Sequence, residues 1–490
     1  MRVALHPARV LAVLRRHPGL VVLTALAAIL RFSTLDVQSF WQDEAVTAQL
    51  MRPGLLQTLS LLPASETTPP LYYLLAWFWS QVFGTGEVGL RSLSALFGTA
   101  TIPVAYAAAL PVSRRAAVVA GALTATSPML VWYSQEARAY ALLVLTAALS
   151  FLFFIRVLER PARDGLVGWA LSSALALVSH YFAILVIAPE AAWLLARSRR
   201  RRRVAVAAAT ATATGLAVLP LALAQATAGH AGWIATIDLG ERLKDVWQNF
   251  LVGGGPGQVD ALVAPTTALA GVGLTLLALR ADGAERRNGL IALAIGTIAI
   301  VGALALAGLG VDYFLDRNVL PALVPLIAAF AAGFGAQGAG RMGLLAAGAL
   351  CALFTLSVVL TASREDLQRP DWRGVAAALG GPRDTRVIVA PASGDQPLRL
   401  YRPGARDATA GPISTTEVVV IHPPEPDRLA PPLPRGLVRT RWRAVARFGI
   451  ATFRSRRPVE LMPRTLSTSA ATQQPAAVLV ESSRRRMAAG

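Results

Sequence analysis

Long apolar runs, each closed by a short polar loop, recur along this chain. Runs at residues 18–35, 88–110, 116–133, 139–156, 204–225, 262–280, 289–310, 319–338 and 342–361 reach or approach the roughly 20 residues that a helix needs to cross a bilayer. Shorter runs at 165–180 and 182–196 bring the expectation to about 11 spans. Helices are expected because in lipid a helix satisfies its own backbone hydrogen bonds. The stretch 70–84 reads differently. Its apolar part is only about 14 residues long and carries Tyr72, Tyr73, Trp77 and Trp79, which suits a helix lying in the outer interface, or a re-entrant one. Residues 363–490 contain no spanning run. Short strands at 385–390, 417–421 and 446–453 and a helix near 372–379 predict a small α/β domain over 363–465, following a transmembrane domain over 1–362. The tail 466–490, rich in Ser, Ala and Gln, is expected to be disordered.

Composition supports the membrane class and charge orients it. The chain has 490 residues, 54% of them hydrophobic, and a formal net charge of +19. Such a charge could mean a nucleic-acid partner, but many of the arginines sit in short loops between apolar runs, where they set topology instead. Arg2, Arg9, Arg15 and Arg16 precede the first run and place the N-terminus in the cytoplasm. That run is read as an uncleaved helix, because no clear A-x-A site follows it. With 70–84 outside the count, Arg114 and Arg115, the loop 156–164, Arg197 with Arg199–Arg203, Arg280 with Arg286 and Arg287, and Arg341 all fall inside. The C-terminal portion then lies outside. Cys351 is the only cysteine, so no intramolecular disulfide is possible. Lys244 is the only lysine, which reads as base-composition bias.

The same count brings four polar clusters to the outer side. Asp43 and Glu44 follow the first span; as acids in a first helical turn they would also complement the helix dipole. Glu136 and Arg138 begin an inward helix, either as a local ion pair or as an acid beside a phosphate-binding arginine. His180 and Tyr181 end an outward helix and by themselves read as an interface anchor. Asp316 and Arg317 begin another inward helix, where capping and snorkelling would also explain them. Their agreement in sidedness favours a shared extracytoplasmic site. Nucleotide and zinc-protease motifs are absent where they would count, and Gly253–Gly257 lacks the strand and lysine of a phosphate loop, so it reads as a hinge or loop. The loop 226–261 also carries His230, Trp233 and Trp247.

These motifs resemble a known family. Trp41–Glu44, Pro69–Tyr73, Leu90–Arg91, Tyr133–Tyr140, His180–Ala183 and Arg317–Pro321 look like those of bacterial GT-C glycosyltransferases, in particular glycosyltransferase family 39, the protein-mannosyltransferase-like and aminoarabinose-transferase-like membrane enzymes. Pro370–Arg373 resembles the opening of their extracytoplasmic domain. The resemblance implies a polytopic α-helical GT-C fold and transfer of a sugar from a polyprenyl-phosphate donor to a protein, lipid or glycan acceptor at the plasma membrane. It implies Asp43 as general base of an inverting reaction, Glu44 and Glu136 as orienting groups, and Arg138 and Arg317 as phosphate ligands. His180, Tyr181 and Tyr73 would contact the substrate. No cofactor is expected; a divalent metal is disfavoured by the arginine in Gln135–Arg138, where a metal site would favour another acid. Two other classes compete: a secondary transporter, which would hold its ionisable residues near the bilayer midplane in repeat-related broken helices, and a non-catalytic assembly protein, against which the intact Asp43-Glu44 pair speaks.

Overall fold

A computed structural model describes residues 17–160, 162–198, 201–229, 231–254, 259–381, 384–408, 411–422, 433–467 and 476–482. Arg2, Arg9, Arg15, Arg16, Arg199, Arg200, His230 and Gly255–Gly257, all named in the sequence reading, lie outside the described residues. In chain order the helices are α1 (Pro18–Phe32), α2 (Gln42–Leu50), α3 (Leu55–Ser65), α4 (Leu71–Phe83), α5 (Glu87–Ala109), α6 (Arg114–Thr126), α7 (Pro128–Ser134), α8 (Tyr140–Glu159), α9 (Arg163–Ser179), α10 (Ile184–Arg197), α11 (Arg201–Thr227), α12 (Leu239–Val252), α13 (Asp260–Leu279), α14 (Gly283–Gly308), α15 (Leu323–Phe334), α16 (Gly340–Ser363), α17 (Trp372–Ala378), α18 (Asp395–Tyr401) and α19 (Pro463–Ser467). The chain divides into two compact units. One comprises Met1–Leu35 and Pro53–Ser363, the other Asp36–Arg52 and Arg364–Gly490.

The first unit is helical. Every expected span coincides with a helix or a bent helix pair, but among the described residues only seven are long and apolar enough to cross a membrane, or eight if α6 and α7, bent by 54°, form one span. The helices α1, α9 and α10, with 15, 17 and 14 residues, are shorter than a full crossing. The stretch expected at the interface is the 13-residue α4, preceded by the short apolar α3. Small residues let the helices approach closely. A Cβ on Gly333 of α15 would run into the carbonyl of Gly273 on α13, and one on Gly98 of α5 would run into the Ser134 side chain.

The bend between α6 and α7 has an identifiable cause. Pro128 has no N–H, so the carbonyl of Thr124 loses its helical partner. Arg31 of α1, fully buried, supplies replacements. Its guanidinium donates to the carbonyls of Thr124 (3.1 Å) and Ala125 (2.9 Å), and its Nε donates to Ser134 Oγ (3.2 Å). Gln135 at the end of α7 donates to the carbonyls of Leu30 (3.0 Å) and Arg31 (3.2 Å) and to Thr34 Oγ1 (2.7 Å). Elsewhere Glu190 of α10 accepts from Ser150 Oγ (2.5 Å) on α8 and Trp169 Nε1 (2.8 Å) on α9, tying three helices through one carboxyl.

The second unit is α/β. Strands β1 (Thr385–Pro391), β2 (Arg406–Asp407), β3 (Ile413–His422), β4 (Val438–Val445), β5 (Phe448–Leu461) and β6 (Ala476–Ser482) form one sheet in the order β2-β6-β1-β3-β5-β4. The β1–β3 pair is parallel and the other pairs are antiparallel. Both faces are covered. Ile388 and Val419 pack with Trp372, Val375 and Leu398 on one side, while Val387, Val389, Val418 and Val420 pack with Phe453 and Leu466 on the other. That is why β1 and β3 read as apolar runs without alternation. Two expectations are corrected here. The second unit comprises Arg364–Gly490 together with Asp36–Arg52, which the expected division after residue 362 had left with the helices. Within the tail expected to be disordered, Ala476–Ser482 is an interior strand between β2 and β1; its seven residues are fixed by pairing on both edges, which local composition does not reveal.

Replacing Arg31 with Met keeps volume but orphans two kinked-helix carbonyls. The Arg31→Met variant is expected to lose about 2–3 kcal/mol of stability, measured by thermal unfolding in detergent. An unchanged Tm would mean that the bend holds without Arg31.

Candidate active site

In the helical unit a cavity of about 490 Å³ opens where several helix ends meet. Its wall includes Tyr140, His180, Tyr181, Gln225, Tyr313 and Arg317. His180 caps the C-terminus of α9, is buried, and accepts the Phe182 amide on Nδ1 (3.3 Å). Its ring lies 5.6 Å from that of Tyr140, which meets Tyr133 at 4.8 Å. Tyr181 is placed by Gln225 of α11: its hydroxyl donates to Gln225 Oε1 (2.8 Å), while Gln225 Nε2 donates to the carbonyls of Leu62 (3.3 Å) and Thr68 (3.1 Å).

Arg317 follows the first residue of the 3₁₀ turn Asp316–Ala322, which leads into α15. Asp316 accepts from the Arg317 amide (2.6 Å) and from Asn249 Nδ2 (2.7 Å), which fixes the start of the turn. The Arg317 guanidinium lies over the Trp233 ring, 5.4 Å from its centroid. Below it, Arg242 of α12 grips Asp312 with two parallel bonds of 2.6 and 2.9 Å and also donates to the Phe314 carbonyl (3.2 Å). This fork fixes the loop that presents Tyr313 and Arg317.

Glu136, Arg138 and Tyr73 belong to the same unit but do not line the cavity. Glu136 is buried in the turn between α7 and α8, and its carbonyl accepts the Arg138 amide (2.8 Å). Arg138 is buried against Glu66, with Nη1 at 2.6 Å and 2.7 Å from its two carboxylate oxygens. Its charge is thus matched inside the protein, so of the two arginines expected to meet phosphate only Arg317 stands on the cavity wall. Tyr73 packs on Arg138, ring centroid to Cζ 6.0 Å, and shares a 3.1 Å hydrogen bond with Thr68 Oγ1.

Asp43 and Glu44 lie in the other unit, in the first turn of α2. Their surroundings differ sharply. Glu44 is fully buried, 3.6 Å from Arg369, whose guanidinium also covers the Trp41 ring at 5.5 Å. Asp43 is half-buried, and its carboxylate makes no hydrogen bond or ion pair among the described residues. The motif is anchored to Pro370–Arg373: Ser39 Oγ donates to the Pro370 carbonyl (3.2 Å) and accepts the Trp372 amide (2.9 Å), and Gln38 Oε1 accepts the Arg369 amide (2.9 Å). Tyr401 of α18 accepts the Phe40 amide (2.8 Å).

Sequence reading missed Glu66 as the partner of Arg138, Arg369 as the partner of Glu44, and Gln225 and the Arg242–Asp312 fork altogether. Each partner is distant in sequence, so spacing carries no signal. Among the described residues no group of three or more His, Cys, Asp or Glu is positioned to hold a metal ion.

Residues 67–224 match the family model described as dolichyl-phosphate-mannose-protein mannosyltransferase. No curated protein matches the sequence. In fold the chain is similar to ArnT, seen in two crystal structures. The crystal structure of ArnT from Cupriavidus metallidurans bound to undecaprenyl phosphate aligns with a TM-score of 0.55 at 14% identity, covering 89% of this chain and 98% of that one. Its apo state aligns with a TM-score of 0.56 at 14% identity, covering 88% and 97%.

The Arg242–Asp312 fork makes stability depend on pH. The hydrogen-bonded Arg242 guanidinium holds the Asp312 carboxyl below the usual carboxylate range. A depressed folded-state value adds stability that is present above the unfolded Asp value of about 3.9 and is lost as pH falls through the folded one. The Asp312→Asn variant should be less stable than the parent near neutrality by about 2 kcal/mol, less than for a fully enclosed pair because Asp312 is 22% exposed. Thermal unfolding from pH 6 to pH 3 should show the two proteins converging; parallel curves would refute the assignment.

Proposed function

We propose that the protein transfers a sugar from a polyprenyl-phosphate carrier to an acceptor hydroxyl outside the cytoplasm, with inversion at the anomeric carbon. The observation that carries this reading is the cavity whose wall combines Arg317 with His180, Tyr181 and Tyr140 at the ends of membrane-embedded helices. A lipid-linked phosphosugar asks for that combination. Its tail must stay in lipid, its phosphate needs a fixed cation, and its sugar needs hydroxyl and ring partners. The ArnT structure of like fold, described as bound to undecaprenyl phosphate, supports a polyprenyl-phosphate donor. A secondary transporter is not favoured, because the matching family model is that of mannosyltransferases. The proposed topology has about 11 crossings, with the short α1, α9 and α10 supplemented by their flanking residues or matched by local thinning of the bilayer.

In the proposed reaction the acceptor oxygen attacks the anomeric carbon while Asp43 takes the hydroxyl proton. The bond from that carbon to the phosphate oxygen breaks, and the phosphate leaves with the electron pair. Arg317 stabilises the charge that grows on the phosphate; an aligned, fixed cation does this without reorganising. Glu44, held by Arg369, sets the orientation of the α2 turn and so acts as a positioning residue. Arg138, matched with Glu66, is assigned to holding the α7–α8 turn, with Glu136 and Tyr73 around it, and not to the phosphate. His180 and Tyr181 contact the sugar or the phosphate. Mannose-like and other sugars, and protein, lipid and glycan acceptors, are compatible with these groups.

Asp43→Asn keeps the shape of the side chain and removes its basicity. In transfer assays with polyprenyl-phosphate sugars it should lose about 10²–10⁴-fold in kcat with an unchanged Tm. Near-parental turnover would remove Asp43 as the base. Arg317→Gln should lose about 10²-fold or more in kcat, whereas activity of the parent should survive a chelator. Loss of activity on chelation, restored by a divalent cation, would overturn the metal-independent reading.

A further inference from the structure

A second hollow lies in the helical unit, away from the cavity just described. It is a groove of about 600 Å³ between the N-terminal part of α9 and that of α11. Arg163, Arg202 and Arg203 line it. Its floor is formed by small buried side chains, Ala170 and Ala207, which leave the space unfilled. Its walls are apolar and open: Val167 is 48% exposed, Leu171 59% and Val206 64%.

We infer that this groove binds an anionic phospholipid, with the phosphate headgroup on the three arginines and the upper acyl chain along the apolar walls. The positive-inside rule explains why arginines are found at this end of the helices. It requires charge alone and does not require a groove beneath it. The side chains of Arg163, Arg202 and Arg203 make no hydrogen bond or ion pair among the described residues. The only acid in the first turns of the two helices is Asp164. The local balance is therefore strongly positive, and the helix dipoles add to it, since both helices begin here. A soluble anion would satisfy the guanidinium groups but leave the walls without a partner. A zwitterionic lipid would fill the walls but bring a cation to the arginines. An anionic glycerophospholipid matches both, and basic pockets between membrane helices are known to select such headgroups. The volume lies in the ordinary range for ligand sites, roughly 300–1,000 Å³.

The test reads lipid binding and not sugar transfer, so it is independent of the proposed reaction. Native mass spectrometry of the full chain, with an equimolar mixture of phosphatidylglycerol and phosphatidylcholine, should show selective retention of phosphatidylglycerol by the parent protein. The triple variant R163Q/R202Q/R203Q should lose that selectivity, and R163K/R202K/R203K should keep most of it. Leu171→Trp, which leaves the arginines in place and fills the groove, should also lose the adduct. Equal retention of both lipids by the parent overturns the inference without any variant. Undiminished selectivity in the glutamine variant, or in Leu171→Trp, assigns the binding to some other surface and overturns it as well.

Discussion

Polar groups inside the helical unit have no water to turn to, and the rest of the architecture depends on how they are matched. An unsatisfied amide or carbonyl in such surroundings costs several kcal/mol, so each break in a helix must be closed by a side chain. Pro128 opens one break, and Arg31, from a helix about 90 residues earlier in sequence, closes it. Gln135 then ties the far end of the bent pair back to the end of α1. The Arg138–Glu66 pair and the Glu190 carboxyl follow the same logic at other junctions.

That constraint also sorts the arginines. Arg31 and Arg138 are buried and matched by fixed partners, so their charge serves the scaffold. Arg317 is half-buried, rests on an aromatic face and stands on a cavity wall. The distinction is one of partners, and residue type alone does not disclose it.

Much of the scaffold was legible before the structure. Apolar run length located the long helices, and the aromatic-rich α4, with 13 residues, falls below the length of a full crossing, as α1, α9 and α10 also do. Strands β1 and β3 were legible as apolar runs because both their faces are covered. What stayed hidden depends on contacts between distant segments. β4 alternates Arg439, Arg441 and Arg443 with Val438, Thr440, Trp442 and Ala444, a period-two pattern that the sequence reading passed over among so many arginines, and β6 is a strand only because β1 and β2 flank it. The membership of Asp36–Arg52 in the α/β unit follows from hydrogen bonds to residues more than 300 positions later, such as Ser39 with Trp372. Of the candidate site, the polar clusters were legible as clusters. Their partners, and hence their roles, were not.

The Asp43-Glu44 pair shows why. Adjacent residues on a helix point about 100° apart, so two neighbouring acids cannot share one environment. Glu44 turns inward, becomes fully buried and must therefore be charge-matched, which Arg369 accomplishes. Asp43 turns outward enough to stay half-buried and keeps its carboxylate without a partner among the described residues. The different surroundings of the two acids therefore follow from the hand and pitch of a nine-residue helix, and exchanging them would require α2 to rotate by more than a quarter turn against Arg369, which its hydrogen-bonded anchors at Gln38, Ser39 and Phe40 resist.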